Sequence, residues 1–210
     1  MLRRSLFSRF AAAAALVGFG APGGVTVRAA GESWQPMRHP QDDWFEQLPG
    51  RHRFFFDTMT APKVDEAVAF AGNYFRANRS DYGLEDHDLA VVIGLRHRAT
   101  PFAFNDAMWA KYGRQFSDIL EFTDPRTKQP PTTNVYPDLT GLVKRGVHLA
   151  VCNMATHAYS RRIADAIDGD PDAIYKDLTS NAVGNAHFVA AGILAVNRAQ
   201  ERGYSIAHIG

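Results

Sequence analysis

Five short apolar runs, separated by segments of helical periodicity, constrain this sequence more than any other feature. Arg53-Phe54-Phe55-Phe56-Asp57 is the first and Leu89-Ala90-Val91-Val92-Ile93-Gly94 the second. Gly146-Val147-His148-Leu149-Ala150-Val151-Cys152 is the third, 185–190 the fourth and 204–209 the last. The first two are apolar without a polar alternate, the pattern of strands covered on both faces. Between them Pro62 opens a helix with Asp65 and Glu66 in its first turn. Val64, Ala67, Val68, Ala71 and Phe75 keep helical spacing to about Asn78. The order βαβα, some extra helix, then βαβαβ predicts one α/β domain with about five mainly parallel strands and right-handed crossovers.

The remaining segments fill in that frame. A helix is expected from Phe104 to Tyr112, ended by Gly113. Residues 116–137 read as irregular, and the polar, proline-rich stretch 123–134 within them suits a lid, an arm to a neighbouring subunit or a solvated insertion. Asp138 to Lys144 forms a short helix that Gly146 closes. After Cys152 a turn is expected, then an amphipathic helix from about Thr156 to Ile167. Asp170-Pro171 opens a further helix carrying Ile174, Leu178 and Val183. The last long helix runs from Gly192 to Gly203.

Composition narrows the function classes. A chain of 210 residues that is 46% hydrophobic and 21% charged is an ordinary globular one. A formal net charge of +1 gives no electrostatic case for a nucleic-acid partner. One cysteine rules out an internal disulfide and any zinc site built mainly of cysteines. The sequence holds no G-x-G-x-x-G, Walker loop, H-E-x-x-H or C-x-x-C.

The first 30 residues read as a signal peptide. A basic opening precedes an alanine-rich apolar stretch that is too short for a comfortable membrane span. Arg3-Arg4-Ser5-Leu6-Phe7 resembles a twin-arginine motif, with Leu2 where Ser or Thr usually stands. Cleavage is expected near residues 29–30, leaving a periplasmic protein with no transmembrane segment. Residues 31–50, with Trp34, Trp44 and Phe45, form an N-terminal arm that packs on the domain or meets another subunit. The α/β domain is expected over 51–210.

The chemistry gathers at strand ends. In an open parallel sheet, ligands and reactive groups lie outside the carboxyl ends of the strands. Asp57 and Thr58 follow the first run, Arg96, His97 and Arg98 the second, and Cys152 with Asn153 closes the third, His157 one helical turn on. A thiol near a helix N-terminus and cationic side chains is expected to favour the nucleophilic thiolate, which can carry persulfide sulfur. The alternative for Cys152 is a small buried core residue. His97 and His157 suit an ion pair with the thiolate, or with Cys152 a copper or zinc site. No spacing supports that site, so no metal and no other cofactor is predicted. Asn153 reads as the N-cap of the following helix and His148 as a satisfied sheet histidine. His39, His52, His87 and His208 carry no signal. Arg96 and Arg98 suit an anionic substrate such as a thiosulfonate or sulfite, or are solvated charges.

The run ending at Cys152 resembles the cysteine-bearing strand of DsrE/DsrF-like sulfur-relay proteins. The stretch Val189-Ala190-Ala191-Gly192 through Gln200-Glu201-Arg202-Gly203-Tyr204 is similar to the family's ending. The likeness covers about Arg53 to Ile209, is strongest in the last third and is only topological in the first half. It implies a flavodoxin-like three-layer α/β sandwich and a homo-oligomer, a trimer or its multiple. It also implies that Cys152 accepts sulfur as a persulfide from a donor and passes it to an acceptor protein. The export signal, the tryptophan-bearing arm and the 116–137 segment depart from the family's sulfur-relay members. Two other functions stay open on the residues alone: a non-catalytic small-ligand or metal-binding module, and an oligomeric scaffold with Cys152 as core.

Overall fold

The computed structural model describes residues 35–210, so the expected signal peptide and Trp34 lie outside the described residues. Five strands, β1 His52–Thr58, β2 Leu89–Leu95, β3 His148–Cys152, β4 Ala186–Val189 and β5 Ser205–Ile209, form one sheet. Every neighbouring pair is parallel and the order is β4-β3-β2-β1-β5. The helices are α1 Trp44–Gln47, α2 Lys63–Tyr82, α3 Asp106–Leu120, α4 Asp138–Lys144, α5 Asn153–Ile167, α6 Pro171–Ser180 and α7 Gly192–Gln200. A 3-10 segment, His97–Ala103, follows β2. This is the α/β sandwich expected from the run pattern, with all strands parallel.

Alternate residues of each strand serve two cores. Phe56, Val91, Ile93, Leu95, Leu149 and Val151 face the larger one, which α2 to α6 cover. Phe55, Val92 and Ala150 face the smaller, filled by Phe45 of α1 and by Ala195 and Ala199 of α7. The topology explains the imbalance. Three connections step the same way across the sheet, and right-handed crossovers stack their helices on one face. Only β4-α7-β5 returns, so α7 alone of the longer helices lies on the other face, where it touches all five strands.

Several expected boundaries move, each for a visible reason. Gly113 does not end a helix: α3 passes through it to Leu120 and takes in residues 116–120. A Cβ there would lie 1.9 Å from the Pro131 carbonyl oxygen. The glycine permits a close crossing of chain over helix. The 121–137 segment is accordingly strapped down. Asn134 Nδ2 donates to the carbonyls of Phe102 and Phe104, Tyr136 Oη donates to the Ala61 carbonyl, and Pro131 is buried. α2 continues past Asn78 to Tyr82, where Gly83 caps it in the left-handed conformation. Val183 lies beyond α6, with its amide bonded to the Ala103 carbonyl. No turn separates β3 from the next helix, because α5 begins at Asn153, directly after Cys152.

Helix α1 of the arm packs on the domain. Phe45 is fully buried, and its carbonyl accepts from Tyr204 Oη at 2.7 Å and from Arg53 Nη1 at 2.8 Å.

Candidate functional site

Cys152 is the last residue of β3 and the N-cap position of α5, with extended backbone (φ −69°, ψ 108°). It shares the strand face of His148 and Ala150, the side that α7 covers. Its exposure is 8%, and it lines a cavity of about 290 Å³ with Arg96, Ala155, Gly192, Met154 and Ile193. Met154 and Ala155 in the first turn of α5 and Gly192 and Ile193 in that of α7 border this cavity, and the amides of a helix's first turn have no intrahelical partners. Met154 and Ile193, 67% and 63% exposed, stand at its rim as bare apolar surface.

Arg96 is fixed by a buried carboxylate. Its Nε donates to Asp57 Oδ1 at 2.7 Å and its Nη2 to Oδ2 at 2.8 Å. Asp57 is 2% exposed and is the last residue but one of β1, beside Gly94 of β2 and His208 of β5. His208 Nδ1 lies 2.8 Å from Asp57 Oδ2, so two cationic or donor groups share that oxygen. The Asp57 hydrogen bonds raise the Arg96 pKa above its ordinary value; burial opposes them, and the charges of Asp57 and Cys152 add to them. The arginine lines the same cavity as Cys152. Gly192 makes room for it, since a Cβ on Gly192 would lie 2.3 Å from the Arg96 Cβ and 2.9 Å from its Cδ.

The other expected residues divide. His97 lines the same cavity; it is exposed, has a left-handed backbone (φ 54°), and accepts at its carbonyl from Tyr159 Oη at 3.3 Å. Asn153 is not the N-cap. It is the first helical residue, and its Oδ1 accepts from Tyr175 Oη at 2.7 Å. His157 does not line the cavity and stacks on Tyr175, ring centroids 3.9 Å apart and planes 3° from parallel. Arg98 turns away from the cavity and donates to the Leu120 carbonyl at 2.8 Å, at the end of α3. His148 is satisfied, with Nδ1 2.8 Å from Nε2 of His187, on which Trp44 stacks at 3.9 Å. Among the described residues no cluster of three or more His, Cys, Asp or Glu could hold a metal ion, and no helix is long and apolar enough to cross a membrane.

No family model matches this chain, and no curated protein or solved structure matches it.

The site therefore rests on its own geometry. A thiol at a strand end shares one cavity with the first turns of two helices and with an arginine that Asp57 pairs from behind. Sequence reasoning missed the partners of Arg96. Asp57 was visible as a strand end, but His208 is 151 residues away and becomes its neighbour only because β5 inserts beside β1.

Proposed function

We propose that this protein carries sulfane sulfur on Cys152, in the manner of the DsrE/DsrF-like proteins its sequence resembles. The observation that carries the reading is that Cys152 and Arg96, the latter held by Asp57, line one open cavity. The Cys152 thiolate attacks the terminal sulfur of a polysulfide or persulfide donor. A new S–S bond forms at Cys152, the donor's S–S bond breaks, and the shortened donor leaves with the electron pair. Attack by an acceptor thiolate on the outer sulfur returns Cys152 as thiolate. Neither step needs an oxidant or a cofactor.

Arg96 and the opening amides of α5 and α7 stabilise the anion before and after transfer. Met154 and Ile193 give an acceptor protein apolar surface to meet. Reading the first 30 residues as a signal peptide supports a periplasmic carrier, whose donors would differ from those of cytosolic relays.

The test is protein-bound sulfane sulfur after exposure to polysulfide and desalting, released with cyanide and measured as thiocyanate. Wild-type protein is expected to hold close to one labile sulfur per chain and Cys152→Ser none. Equal labile sulfur in both would overturn the reading.

A further inference from the structure

A second and larger cavity, about 390 Å³, adjoins the Cys152 cavity and shares its wall. His97 and Ala155 line both. Its volume falls within the range of small-molecule sites, roughly 300–1,000 Å³. Arg98, Arg162 and Glu121 supply its charges, and Ile119, Ala158 and Tyr159 its apolar floor. Arg98 is committed in part: it bonds the Leu120 carbonyl at 2.8 Å and stands 3.7 Å from Glu121. Arg162, exposed on the cavity's rim, makes no hydrogen bond or ion pair among the described residues. The Glu121 side chain is 84% exposed. A free guanidinium and an accessible carboxylate in one cavity match the carboxylate and ammonium of an amino-acid group. The wall residue His97 has the left-handed backbone (φ 54°) that only a few per cent of non-glycine residues adopt. Such conformations collect at ligand sites.

We infer that this cavity seats the amino-acid end of a low-molecular-weight thiol, whose sulfur end reaches Cys152 past His97 and Ala155. The inference rests on the sulfur-carrier reading and adds its donor class: the persulfide of a cysteine-type thiol, free or within a short peptide. The Cys152 thiolate attacks the outer sulfur of the donor R–S–SH. The outer sulfur bonds to Cys152, the donor's S–S bond breaks, its electron pair leaves with the thiolate R–S⁻, and the donor's proton stays on the transferred sulfur or passes to water. Arg162 takes the donor's carboxylate, Glu121 its ammonium, and the floor its methylenes. An inorganic polysulfide is anionic but has neither a carboxylate nor an ammonium group, so it cannot make the paired contact with Arg162 and Glu121.

The experiment compares two donors, glutathione persulfide and inorganic polysulfide, on the full protein purified without a histidine tag. For each, the rate of sulfur gain is followed by mass spectrometry in wild type, Arg162→Gln and Glu121→Gln. The ratio of kcat/KM for glutathione persulfide over that for polysulfide is expected to fall roughly tenfold in Arg162→Gln, the loss of one charge-assisted contact, with the change in KM. A ratio equal to wild type in both variants would overturn the inference. A second arm measures S-methylglutathione binding to Cys152→Ser by calorimetry, where no transfer can occur. Heat that disappears in Cys152→Ser with Arg162→Gln supports the cavity's role, and no heat in either overturns it. Sulfur gain from polysulfide with no preference set by Arg162 removes the inference and leaves the carrier reading standing. Analogue binding without sulfur gain from either donor removes the carrier reading and leaves the amino-acid site.

Discussion

At the scale of single residues, the site is an ion pair set behind a thiol. Asp57 is buried and its carboxylate serves both Arg96 and His208. Removing one partner of a buried pair costs about 3–5 kcal/mol, because a charge is left uncompensated. Asp57→Asn leaves the half-buried Arg96 without its counter-charge. Urea denaturation is expected to show a loss at the lower end of that range, His208 staying free to repack, and sulfur uptake at Cys152 is expected to slow with it. An Asp57→Asn protein with wild-type stability and uptake would contradict the pairing. Gly192 is the complementary case. Adding one methyl group drives a Cβ into the Arg96 stem, so Gly192→Ala is expected to destabilise by about 1–3 kcal/mol, although alanine is the better helix former. Most of this was not legible in the sequence. Arg96 and Cys152 announced themselves as strand-end residues, but whether an arginine points at a thiol depends on the residue behind it. Asn153 shows the limit from the other side: cap propensity was real, yet β3 runs straight into α5, so Cys152 took the cap position and Asn153 paired with Tyr175.

At the scale of elements, hydrophobic runs and helical spacing located every strand and every long helix, because each buries a face against the sheet. Glycine misled where its role was steric rather than terminal. Gly113 sits inside α3, and the 121–137 strap crosses it. Gly113→Ala is expected to lower stability by about 1–3 kcal/mol despite a helix-propensity gain near 1 kcal/mol, because the backbone of Pro131 cannot yield as a flexible side chain could. A stabilised variant in thermal melts would show the strap to be loosely held. The β3–β4 pair makes a pH prediction. Burial lowers the pKa of His148 and, with repulsion from His148, takes that of His187 to about 4. Both groups are thus more easily protonated in the unfolded chain. Their contribution to stability is full above pH ~6.5, declines as the pH falls, and is gone below about 4. Discounted for partial exposure, the loss is about 1–2 kcal/mol. Urea midpoints at several pH values are expected to show a shallower decline for His187→Gln than for wild type over this window, and parallel curves would contradict the assignment.

At the scale of the whole molecule, the return of β5 to the far side of β1 matters most, because it brings His208 to the Asp57–Arg96 pair that β1 and β2 already set together, and sends α7 across the other face alone. No local pattern encodes that return; it is a choice among sheet orders that the run pattern allows equally. The thin second face is completed by the arm, whose Phe45 is fully buried. Deleting 36–48 is expected to lower the melting temperature by several degrees, since burying one phenylalanine alone contributes about 1.5–3 kcal/mol. The homo-oligomer implied by the family resemblance, a trimer or its multiple, is expected to keep its mass per particle in light scattering after that deletion. The measurement that bears most directly on the account is intact and peptide mass spectrometry of the native, tag-free protein after brief exposure to polysulfide. The account predicts a gain of whole sulfur atoms on the peptide containing Cys152, reversed by a thiol reductant and absent in Cys152→Ser. A thiol that gains no sulfur and resists alkylation until the protein is unfolded would contradict it and leave Cys152 as part of the core.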